Sequence, residues 1–109
     1  MGGTIWGPDG TMWGMAGWVW RQVVVGASDH LSDEELRAYC RHVVDDNINM
    51  LDLREFSPAQ QADFRQAFHH VHMAFRDIDP AEREQEVAYD SRLWAFEQLA
   101  VLLRRPPKN

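Results

Sequence analysis

The chain has 109 residues, close to the commonest size of one domain, and a net charge of −6 from 17 acids against 11 bases. That balance argues against a nucleic-acid binder, which needs a basic surface to displace counterions from phosphate, and against adsorption to anionic lipid. Apolar residues make up 45% and charged residues 26%, enough for one core without metal or disulfide staples, and the lone Cys40 permits no internal bridge and suits a reducing cytoplasm.

Two segments differ in character and are read as one domain. Residues 1–28 are rich in Gly and Trp, with Asp9 and Arg21 their only charges. Gly7-Pro8-Asp9-Gly10 is a turn signal, because Pro presets φ and Gly10 tolerates a positive one. Its flanks, Thr4-Ile5-Trp6 and Thr11-Met12-Trp13, favour short strands, so a β-hairpin-like segment is expected there, across which Trp6 and Trp13 could pair. Met12 to Val25, followed by the small residues Gly26 and Ala27, is the only stretch resembling a leader. No base precedes it, Arg21 interrupts it, and at 14 residues it is too short to span a bilayer. Trp18 to Val25 is open to two readings: Val and Trp favour a strand, while Met15, Val19 and Val23 recur at helical spacing and Gly26 could end a helix. Helix is preferred. Trp18 and Trp20 lie on opposite sides of a helix but the same side of a strand, so their burial decides the matter.

Three helices are expected at 33–47, 58–77 and 80–104. Ser32-Asp33-Glu34-Glu35 reads as a capping box, and Ser57-Pro58-Ala59-Gln60 repeats it with Pro at the first helical position. Asp79-Pro80 opens the third helix, and Pro106-Pro107 follows its end. Leu36, Tyr39, Cys40, Val43 and Val44 make the apolar stripe of the first helix; Phe64, Phe68, Val71, Phe75 and Ile78 make that of the second. In the third, Tyr89, Leu93, Phe96, Ala100 and Leu103 form a face, and Trp94, Val101 and Leu102 make its end apolar all round. That pattern marks a central helix and assigns Trp94 to the core. Asn47 would fall in the apolar stripe of the first helix and is therefore read as its terminator. The expected architecture is mainly α: a three- or four-helix bundle with the N-terminal segment across one end or side.

No reactive constellation is written in the sequence. It holds no Gly-x-Ser-x-Gly elbow, no phosphate-binding Gly loop ending in Gly-Lys-Ser/Thr and no dinucleotide fingerprint, so neither catalysis nor a cofactor is expected. His69 and His72 stand one helical turn apart, as two metal ligands can, but Arg65 and Arg76 continue the same stripe and repel a divalent ion. A positive ridge that pairs with acids is the better reading. Acids concentrate elsewhere: eight against three bases between Asp29 and Glu55, and seven against two between Asp77 and Glu97. Asp45, Asp46, Asp52 and Glu55 surround the link between the first two of these helices without calcium-loop spacing. They form either a solvated face or an acidic docking surface. Trp6, Trp13 and Met73 are the candidate apolar anchors beside them, Trp being enriched at binding hot spots.

Size, acidity and the lack of chemistry lead to an expectation by elimination. The chain is expected to be a small acidic inhibitor, of the immunity-protein or antitoxin type, that neutralises a basic protein partner such as a nuclease-like toxin. The alternatives are a homodimeric structural subunit or a His69–His72 metal- or ligand-binding helical protein. Ten of the eleven bases are Arg, the codon habit of a GC-rich bacterial genome.

Overall fold

The computed structural model describes residues 2–107, and in it the Pro-Asp-Gly turn folds the N-terminus back on itself. Gly2–Trp6 (β1) and Met12–Ala16 (β2) pair antiparallel. Gly10 takes a φ of +85°, its N–H donates to the Gly7 carbonyl at 3.0 Å, and Asp9 accepts from the Thr11 N–H at 2.9 Å. The register sets Ile5 opposite Trp13 and Trp6 opposite Met12. Because strand side chains alternate, Trp6 and Trp13 fall on opposite faces, and the Trp–Trp pair across the hairpin does not form. Trp13 and Ile5 go inward, where the indole N–H of Trp13 donates to the Ala95 carbonyl at 2.9 Å.

Residues Gly17–Ser28 form a helix (α1), directly after β2. The two tryptophans confirm the choice of helix: Trp18 is 51% exposed and Trp20 is fully buried. Trp20 packs on the sheet where Gly3 leaves room; a Cβ on Gly3 would stand 2.2 Å from Trp20 Cγ. Its indole N–H donates to the Thr4 carbonyl at 3.0 Å.

Glu34–Asp45 is the second helix (α2), capped by Asp33 and not by Ser32 as the capping-box pattern implied. Asp33 accepts from the Leu36 N–H at 2.8 Å, while the Ser32 N–H is taken by Asp63 across the molecule. The helix ends where expected, with Asn47 at φ 53° and Asn49 at φ 56°. A third strand, Met50–Asp52 (β3), follows and was not foreseen. It pairs parallel to β1, giving the order β2-β1-β3, and only three residues long it carries too little alternation to read. A 3₁₀ turn, Leu53–Glu55, leads to the third helix, Pro58–Arg76 (α3), whose Ser57–Gln60 capping box forms on both sides.

The single helix expected over 80–104 is two. Pro80–Arg83 (α4) is one turn, and Tyr89–Leu103 (α5) starts after Ala88, which sits in the left-handed region at φ 52°. Tertiary bonds hold the break open. The buried Arg92 guanidinium pairs with Glu86 at 3.0 Å, donates to the Val87 carbonyl and to Gln22, and stacks on Phe75 and Trp18. The Tyr89 hydroxyl donates to the Arg76 carbonyl at 2.9 Å.

The chain is therefore mostly helical with a small three-stranded sheet, and the N-terminal segment is built into the core, not laid across a bundle. Helix α1 packs against α2 and α3, and α3 against α5. One cluster joins Ile5, Trp13 and Leu51 of the sheet to Trp20, Phe64, Phe68 and Phe96 of the helices. Phe96 meets Phe75 and Phe68 at ring separations of 5.0 and 5.8 Å. Each buried Phe contributes about 1.5–3 kcal/mol by leaving water, and such ring pairs about 0.5–1.5 kcal/mol more. Helix α5 is not central: Trp94, assigned to the core above, is 64% exposed. No helix among the described residues is long and apolar enough to cross a membrane.

Candidate functional site

The four acids singled out in the sequence are spread over three elements. Asp45 ends α2 and lines a shallow pocket with Asp29 and Arg41. Asp46 caps that helix and pairs with His42 at 3.1 Å. Asp52 lies in β3 with both oxygens held by Arg54, at 2.9 and 2.7 Å, which lowers its pKa. Glu55 is exposed in the 3₁₀ turn. Asp52 and Glu55 both stand beside Tyr39, whose phenol is pushed up first by burial and then by these carboxylates. Two of the four carboxylates are thus engaged within the chain already.

The three apolar anchors are placed differently from one another. Trp13 is withdrawn into the core, so it is corrected from a partner contact to a packing residue. Trp6 is half-buried on the outer sheet face, with the Arg54 guanidinium 6.0 Å from its ring. Met73 is half-buried on α3. Cys40 is fully buried, and burial pushes its thiol up to about 12, so it stays protonated and inert at neutral pH.

Two features remain at the surface. At the edge of β2, Met15, Asp90, Ser91, Trp94 and Ala95 line an open concavity of 480 Å³. Asp90 and Trp94 are four residues apart on α5 and share one face, so a carboxylate and an indole border the same space. Trp18 is also exposed, with the Arg92 guanidinium 4.8 Å from its ring, but it does not line this space. The sequence held a signal for Trp94: at about 100° per residue it stands about 160° from Phe96. The apolar character of α5 all round hid that signal.

The second feature is a cleft of 440 Å³ between α3 and the end of α5, lined among others by Arg65, Phe68, His69, His72, Leu103 and Arg104. The expected ridge of Arg65, His69 and His72 is there, but Arg76 turns to Asp77 at 3.0 Å and Arg104 takes its place. His70 is exposed and stacks on His30 at 4.8 Å. His72 is buried against Phe68, and its Nε2 has no partner. Burial holds its pKa below the usual 6.5; Glu97 opposes this, and His69, Arg76 and Arg104 reinforce it. Among the described residues no three His, Cys, Asp or Glu side chains come together as metal ligands do. His69, His70 and His72 all line the cleft, but they do not converge on one point, and two guanidiniums stand beside them.

No protein-family model, curated protein or solved structure matches this chain.

Proposed function

We propose that this chain is a small protein-binding domain of the inhibitory kind, comparable in style to immunity proteins and antitoxins, that engages a basic protein partner and performs no reaction itself. The observation that carries this reading is Trp94, 64% exposed beside Asp90 in the concavity at the edge of β2. The fold does not need an exposed indole; a partner does, because Trp gives a large contact area with little side-chain freedom to lose. An indole face and a carboxylate around one space receive an Arg or Lys side chain by cation–π attraction and a charge-assisted hydrogen bond. The net charge of −6 adds long-range attraction for a basic surface.

Capture by the immobilised chain tests it, with Trp94→Ala and Asp90→Asn alongside. A basic protein is retained at low salt, released at high salt and lost with either substitution. That protein arrests growth when expressed alone, and co-expression of this chain restores growth. Retention that ignores both substitutions, or a partner harmless on its own, overturns the reading.

Self-association is a second reading, and the open sheet face favours it. Met12 and Met50 are 62% and 49% exposed there, Trp6 lies between the strands that carry them, and Asp52 on the same face is tied to Arg54. Light scattering at high micromolar concentration decides this: a monomer removes it.

A further inference from the structure

The cleft between α3 and α5 has a chemistry opposite to that of the chain as a whole. Its volume of 440 Å³ lies in the range of small-molecule sites. Phe68, Ala100 and Leu103 give it an apolar lining, and Arg65, His69, His72 and Arg104 a polar one.

Three observations point to what it holds. The first is the state of the arginines. Of the ten in the chain, eight pair with a carboxylate or donate to an amide or carbonyl. Arg65 and Arg104 have no such partner among the described residues, and both line this cleft. In a chain with 17 acids, two guanidiniums left without a carboxylate at the same place are available to an outside oxyanion. The second is His72, 8% exposed, whose Nε2 is buried with no hydrogen-bond partner. Buried polar atoms are nearly always satisfied, and an orphan in the wall of a cleft is what a ligand's polar group or its bound water completes. The third concerns the local acid. Glu97 on α5 acts electrostatically on His72, but it is exposed and does not line the cleft, so it does not occupy the space between the arginines.

We propose that this cleft binds a small organic anion, a phosphate ester or a carboxylate, whose oxyanion meets Arg65 and Arg104 and whose apolar body lies against Phe68, Ala100 and Leu103. A guanidinium fork matches the oxygens of either group, and the apolar lining makes an organic anion a better occupant than a bare inorganic one.

Phenyl phosphate, benzoate and inorganic phosphate are the probes, titrated into the ¹⁵N-labelled full chain while the backbone amides of α3 and α5 are followed. An aromatic anion shifts the amides around residues 65–72 and 100–104 saturably and binds more tightly than inorganic phosphate. Arg65→Gln and Arg104→Gln each weaken it about ten-fold or more, the worth of a hydrogen bond to a charged group. Arg41→Gln, equal in charge change but outside the cleft, leaves affinity unchanged. Both cleft arginines are exposed, so the Gln variants keep the fold, which unchanged melting curves verify. Saturation by phenyl phosphate alone assigns a phosphate ester; equal or tighter binding of benzoate assigns a carboxylate. The proposal is overturned if neither aromatic anion gives a saturable shift, if inorganic phosphate binds as tightly as both, or if the Arg65 and Arg104 variants behave like the Arg41 variant.

Discussion

Gly7 and Leu102 set the two ends of the chain against each other. A Cβ on Gly7 would stand 2.2 Å from Leu102 Cδ2 and 3.0 Å from its Cγ, with the Leu102 carbonyl oxygen at 3.4 Å. Among the glycines only Gly10 has a positive φ, so alanine at position 7 meets no backbone penalty and its whole effect is steric. Gly7→Ala alone is expected to destabilise by about 1–3 kcal/mol, the usual range for overpacking a filled site. Leu102→Ala alone removes a side chain that is 5% exposed and is expected to cost about 2–5 kcal/mol. In the double variant the clashing Cγ and Cδ2 are gone and only the carbonyl contact remains, which is an ordinary approach. The new methyl also enters part of the vacated space. The double variant is therefore less destabilised than the sum of the singles by about 1–3 kcal/mol. Urea unfolding followed by tryptophan fluorescence measures all four corners of this cycle. Additivity to within about 0.5 kcal/mol would mean that the N-terminal turn and the last turn of α5 do not touch, and with it the tie between the hairpin and α5 would fall.

Three further outcomes follow from single sites. Ala88→Gly is expected to stabilise by about 0.5–1 kcal/mol and so raise the urea midpoint: glycine removes the roughly 1–2 kcal/mol penalty of the left-handed region, and its extra freedom when unfolded returns about 0.5–1; a lower midpoint contradicts the strained start of α5. Trp94→Ala is expected to change stability by less than about 0.5 kcal/mol, and Trp20→Ala to cost about 3–5 kcal/mol, since one indole is exposed and the other fully buried; comparable losses would refute that contrast. His72 links stability to pH. Burial, the largest cause, keeps its folded pKa below 6.5, so between that folded value and 6.5 the unfolded chain binds more protons. Stability therefore falls as pH drops below about 6.5 and levels off beneath the folded value. His72→Phe, which keeps a ring against Phe68, flattens the profile between pH 7.5 and 5.5. That window lies above the carboxylates, whose lowered pKa values act only at more acidic pH. A profile identical to the parent's removes His72 as its cause.

What could be read in advance were the features written in local chemistry. Gly7-Pro8-Asp9-Gly10 announced the hairpin, Ser57 and Gln60 fixed the start of α3, and Asn47 marked the end of α2, because each depends on neighbours within a few residues. The misreadings share a different origin. Asp33, not Ser32, caps α2, and the N–H groups of both residues are held by Asp63, a contact far along the chain that local spacing does not reveal. The helix from Pro80 broke because Arg92 and Tyr89 bind the backbone and side chains of the preceding turns. β3 exists because β1 offers it an edge, which three residues cannot announce. The site was legible in halves. Arg65, His69 and His72 followed from helical spacing, but Arg104 joins them only through the packing of α5 on α3, and Trp94 reached the surface only once the phase of α5 was set by Phe96 and Leu99.

Helix α5 contributes to both proposed surfaces, with opposite signs. Asp90 stands in its first turn and Arg104 is its C-cap, and the helix dipole favours an acid at the first and a base at the second. Neither charge needs a partner inside the chain to be tolerated, so each is left to the exterior: Asp90 with Trp94, Arg104 with Arg65 and His72. A basic surface attracted to the one is repelled by the other, so a single partner of one sign does not fill both. The two activities should then separate. Trp94→Ala and Asp90→Asn leave the affinity for phenyl phosphate unchanged, and Arg65→Gln leaves retention of the basic protein unchanged. Loss of both activities in a folded Arg65→Gln chain would show that the cleft and the Trp94 concavity belong to one continuous interface, contrary to this division by charge.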